Sequence, residues 1–107
     1  VKIPGTAEEK KMINFSTISA TLAAQRAHLF SKYPLKSLAI FGSVSRGDNG
    51  PDSDVDIMVE FTEPVGMDFL RLAEELETIL DCKVDLVTRR GVKDRYFKHI
   101  ESDLKYV

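Results

Sequence analysis

Asp54-Val55-Asp56 sits a short loop downstream of Phe41-Gly42-Ser43-Val44-Ser45-Arg46-Gly47. If the segment is a strand, side chains alternate and the two carboxylates share one face. Like charges there repel, so a sheet built for stability alone would not choose them. A divalent cation between them turns repulsion into ligation, and hard oxygen donors suit Mg²⁺ or Mn²⁺. The Gly42-Ser43 turn offers backbone N–H groups and a hydroxyl along which a phosphate chain could lie. Metal carboxylates beside a phosphate cradle imply phosphoryl or nucleotidyl transfer.

The joint pattern, Gly42-Ser43-Val44-Ser45-Arg46-Gly47 followed by Ser53-Asp54-Val55-Asp56, resembles the nucleotidyltransferase superfamily that includes DNA polymerase β. The short chain is most similar to the minimal nucleotidyltransferases, or MNT domains. These are commonly encoded beside a HEPN-domain protein as a toxin–antitoxin pair. The resemblance runs from about Ser16 to the C-terminus and divides the chain into an extension over residues 1–15, native or vector-derived, and an MNT domain over 16–107. It implies an α/β (α+β) nucleotidyltransferase fold with a small mixed sheet flanked by helices. It also implies that Gly42 and Ser43 hold the β- and γ-phosphates, and that two Mg²⁺ (or Mn²⁺) ions act with nucleotide bound. The nucleotide it implies is ATP.

Two-metal chemistry usually needs a third carboxylate beside the first pair. Asp85, in Lys83-Val84-Asp85-Leu86-Val87, is the acid inside the next expected strand. It matches the family's third catalytic aspartate, whose implied role is metal ligand and base toward the incoming hydroxyl. The metal set is then Asp54, Asp56 and Asp85. Arg46 has two equal readings, a fork of donors to the triphosphate or a partner for Asp48 or Asp52. Ser53 is read as capping its loop, and Gly47 as serving backbone geometry.

The elements that must position these groups follow from periodicity. Ser16 is expected to cap a first helix with Ile18, Leu22, Leu29, Phe30 and Tyr33 as its apolar face, ended by Pro34. Leu35 to Phe41 reads as a strand. Asp54 to Phe61 reads as a second, with Asp54, Asp56, Met58 and Glu60 opposite Val55, Ile57, Val59 and Phe61. Met67 to Leu80 fits a helix burying Leu70, Ala73, Leu76 and Leu80, with Glu74, Glu75 and Glu77 on its polar side. Lys83 to Thr88 is a third strand, and Asp94 to Ile100 a last short helix.

Composition narrows the alternatives. At 107 residues the chain favours one domain, and a net charge of −2 supplies no global field for nucleic acid. The acids Asp48, Asp52, Asp54, Asp56, Glu60 and Glu63 cluster at the motif, whereas Lys83, Arg89, Arg90, Lys93, Arg95 and Lys98 lie later. Arg89 and Arg90 read as solvated surface. His28, His99 and the single Cys82 show no zinc spacing. One cysteine fits a reducing cytoplasm, and no apolar stretch is long enough to cross a membrane. Tyr96, Phe97 and Tyr106 read as core or interface, so direct nucleic-acid binding is not expected.

The function that the resemblance implies is AMP transfer from ATP onto a tyrosine of a HEPN partner. Two alternatives stand beside it. One is an antitoxin that binds nucleotide without catalysis and acts by covering its partner. The other is a stand-alone enzyme for small substrates, a homo-oligomer whose neighbouring subunit completes the pocket.

Overall fold

A computed structural model describes residues 13–107. Residues 1–12 of the expected extension lie outside the described residues. Helix α1 spans Phe15–Lys32, and its cap is Asn14 rather than Ser16. The Asn14 carboxamide oxygen accepts from the Thr17 amide at 2.8 Å, satisfying one of the helix's orphan N–H groups. The chain continues as β1 (Leu35–Phe41), the one-turn helix α2 (Gly42–Arg46), β2 (Val55–Phe61), α3 (Asp68–Leu80), β3 (Val84–Thr88) and α4 (Asp94–Ile100). A 3₁₀ turn over Glu101–Asp103 leads into a two-residue strand β4, Lys105–Tyr106.

The four strands form one mixed sheet in the order β3-β2-β1-β4. β1 pairs antiparallel with β2 and with β4, and β2 pairs parallel with β3. A parallel pair needs a crossover, which α3 supplies. Strand β4 is absent from the sequence reading because two residues carry no alternation to detect. It exists because β1 offers an open edge, where Ala39 faces Tyr106 and Ile40 faces Lys105.

One face of the sheet carries the core. Leu38, Ile40, Val55, Ile57, Val59 and Leu86 pack there with Ile18, Leu22 and Leu29 of α1, Leu72, Leu76 and Leu80 of α3, and Val44 of α2. The expected face of α3 needs correction, because Leu72 is fully buried while Leu70 is 53% exposed. Both Leu70 and Leu72 are compatible with helical spacing; the direction from which α1 and the sheet approach selects the second. Glu75 is not a plain solvated acid either. It accepts from Lys32 Nζ at 2.9 Å and the Tyr33 hydroxyl at 2.8 Å, and lies 2.8 Å from His28 Nε2. The Lys32 bond first, then those to Tyr33 and His28, hold its carboxyl down at about 2. This cluster pins α1 to α3.

Candidate active site

The opposite face of β2 carries the chemistry. Antiparallel pairing sets Asp56 against Phe41, the last residue of β1, and parallel pairing sets Asp56 against Asp85. Partners in register present their side chains on the same side of a sheet. Asp56 and Asp85 are therefore neighbours although they stand 29 positions apart in the sequence. Asp54 is the exposed residue just before β2 begins.

Asp56 feels this arrangement. Its carboxyl is pushed up to about 6, first by burial, then by the charges of Asp85 and Asp54, with Arg46 pulling weakly the other way. Desolvation and two like charges act in the same direction. Among the described residues no three His, Cys, Asp or Glu side chains stand close enough together to hold a metal ion between them. The three acids form an open array rather than a cage.

Gly42 closes the array from above. Its φ is +74°, a backbone region that L side chains avoid. A Cβ built there would stand 2.2 Å from Asp56 Oδ2 and 3.1 Å from Asp56 Cγ. The close approach anticipated for a phosphate is made here by the carboxylate itself. The glycine brings the Gly42–Ser43 backbone directly against the acid.

Beyond Gly42 the expected turn is the single turn of α2, stopped by Gly47 in the left-handed conformation at φ 84°. The amides of Gly47 and Asp48 both donate to the Ser43 carbonyl, at 2.9 and 3.1 Å. Arg46 makes ion pairs, one of them with the Asp48 expected for it. Its Nε donates to Asp48 Oδ2 at 3.1 Å, while Nη1 donates to Asp103 Oδ2 at 2.8 Å. Asp52 is not among its partners, and Asp103 was not legible from spacing. Ser53 caps its loop, its Oγ accepting from the Gly50 amide at 2.8 Å. Arg89 is more engaged than a solvated residue, its guanidinium lying 3.7 Å from the Phe97 ring centroid.

A cavity of about 420 Å³ lies elsewhere, lined by Val59, Phe61, Pro64, Phe69, Arg89 and Arg90 among others. It sits at the far end of β2, roughly 10 Å or more along the strand from Asp56. Neither the three acids nor the Gly42-Ser43 turn lines it.

Residues 23–107 match the nucleotidyltransferase domain family. A protein of Methanocaldococcus jannaschii, named as a candidate protein adenylyltransferase, is 45% identical over 100 residues, covering 90% of this chain and all of its own length. The solved structure of a candidate minimal nucleotidyltransferase superposes with a TM-score of 0.76 at 30% identity, covering 89% of this chain and 97% of the other. A toxin–antitoxin structure with AMP-PNP superposes with a TM-score of 0.62 at 26% identity, over 87% of this chain and 71% of the other. The mixed sheet flanked by helices is thus the nucleotidyltransferase fold.

Proposed function

This chain belongs to the nucleotidyltransferase domain family and is a minimal nucleotidyltransferase; from that premise we propose that it transfers AMP from ATP to a tyrosine hydroxyl of a HEPN-domain toxin, as that toxin's antitoxin. The observation that carries the reading is the in-register Asp56–Asp85 pair with Gly42 closed against Asp56. Burial and repulsion raise Asp56, a cost that a divalent cation would offset and a bare sheet face would not. The donor set, carboxylate oxygen throughout, fits Mg²⁺ or Mn²⁺.

Asp54, Asp56 and Asp85 would hold the metal, which when bound supplies charge neutralisation for the triphosphate and its leaving group. The amides at Gly42 and Ser43, with the Ser43 hydroxyl, donate to the β- and γ-phosphate oxygens. Asp85 takes the proton from the acceptor hydroxyl. The acceptor oxygen bonds to the α-phosphorus as that phosphorus releases the oxygen bridging to the β-phosphate. The products are an AMP ester and pyrophosphate. A protein acceptor draws support from the adenylyltransferase relative and from the likeness to a toxin–antitoxin structure holding AMP-PNP. An open site suits an acceptor residue presented by a partner.

The test is transfer of label from α-labelled ATP, with Mg²⁺ or Mn²⁺, into a co-expressed HEPN protein. An Asp54→Asn/Asp56→Asn double variant and a chelator arm run alongside. Label on one tyrosine of the partner, lost in both controls, is expected. Label retained by the double variant would remove the metal reading, and no label despite ATP binding would leave a binding-only antitoxin or a small-molecule acceptor.

A further inference from the structure

Ser45 is a buried polar residue of α2, 7% exposed, and its partners come from the far end of the chain. Lys105 Nζ donates to the Ser45 carbonyl at 3.0 Å and to its Oγ at 2.8 Å. The Ser45 hydroxyl in turn donates to the Asp103 carbonyl. The next residue, Arg46, donates to the Asp103 carboxylate at 2.8 Å, and that side chain is only 13% exposed. The Lys105 ammonium also faces the Phe15 ring, 5.4 Å from its centroid.

Two consecutive residues of α2 are therefore gripped by a segment 57 to 60 positions later. A single helical turn cannot hold its own shape, because nucleation costs more than one turn of bonds returns. The last carbonyls of such a turn have no partner within it, and a cation at that end is favourable. Lys105 supplies both the bond and the charge. The grip falls on the polar residues that follow Val44, the one side chain of the turn that enters the core cluster. It ends on the element that carries Gly42 and Ser43.

We propose that Lys105 and Asp103 are positioning residues for nucleotide binding, fixing the C-terminal half of α2 so that Gly42 and Ser43 meet the triphosphate beside Asp56. The assignment rests on the reading of Gly42 and Ser43 as the phosphate cradle. Its mechanical part, the hold on α2, can be tested apart from that reading.

The experiment compares the whole chain with Lys105→Met, Asp103→Asn and Lys105→Arg. Amide exchange at Gly47 and Asp48, whose N–H groups bond the Ser43 carbonyl, is read without nucleotide. KM for ATP and kcat are read with Mg²⁺ and the partner, and melting is followed throughout. Lys105→Met and Asp103→Asn should speed exchange at those two amides about tenfold, the scale of one charge-assisted hydrogen bond. KM for ATP should rise by about the same factor with kcat within roughly twofold, and Lys105→Arg should restore both. Wild-type exchange in Lys105→Met, or faster exchange with unchanged KM, would overturn the proposal. So would a general loss of protection across the sheet, which marks a merely structural role. If the wild type transfers no AMP, the proposed function fails on its own, and exchange with the Kd for ATP still decides this inference.

Discussion

Replacing Asp56 by Asn should make the metal-free protein more stable while abolishing transfer. The native carboxyl is raised from 3.8 to about 6, chiefly by burial and then by Asp85 and Asp54. Between those two values the folded state holds a proton that the unfolded chain has released. Stability therefore falls as pH rises through that window, and the cost persists above it. Unscreened, a shift of this size corresponds to roughly 3 kcal/mol. Asp56 is only partly buried on an open face, and solvent screening brings a realistic figure to about 1 kcal/mol. Asparagine keeps the shape and removes the charge. In chelator at pH 7.5, Asp56→Asn should thus melt roughly 4–8 °C above the wild type. The gap should shrink steeply on acidification and be small by pH 4, where the folded carboxyl is protonated and the unfolded one nearly half so. Added Mg²⁺ should raise the melting temperature of the wild type alone. Denaturant and thermal melts of both proteins across pH 4 to 8 read all of this. A variant less stable at pH 7.5, or a pH-independent difference, would refute the reasoning and make Asp56 an engaged structural acid.

Asp85→Asn should lose turnover and retain ATP binding, since the role proposed for it is to take the acceptor's proton; single-turnover transfer and a nucleotide titration separate the two, and wild-type turnover would mean another base. Gly42→Ala should lose both activity and stability, because its Cβ would meet Asp56 Oδ2 at 2.2 Å in a left-handed backbone. A loss of about 1–3 kcal/mol in denaturant melts is the expected scale, and a neutral result would contradict the close approach. Glu75→Gln should cost on the order of 1 kcal/mol after screening. Its carboxyl is held near 2, mainly by Lys32, so the wild-type advantage exists above pH 4.5 and should fade as pH falls toward 2. A pH series of melts on this variant checks the sign.

Local periodicity carried the elements. The limits of β1 and α4 follow from the alternation and turn residues of the sequence, and Asp54-Val55-Asp56 announces an acidic edge before any fold is known. The mixed sheet came from family likeness rather than pattern, since alternation reads the same in parallel and antiparallel strands. Choosing Leu72 over Leu70 required knowing which way α3 lies on the sheet. Three contacts are fixed only by long-range pairing, although Asp85 itself was named from the sequence. Asp56 meets Asp85 only because α3 returns the chain parallel in one particular register, and Gly42 meets the Asp56 carboxylate only because β1 ends opposite it. Asp103 and Lys105 reach α2 only because a two-residue strand finds the free edge of β1. Spacing along a chain fixes which side chains share a face over a few residues. Which faces come together is set by long-range pairing and burial, and that is where the tertiary structure assembled the site.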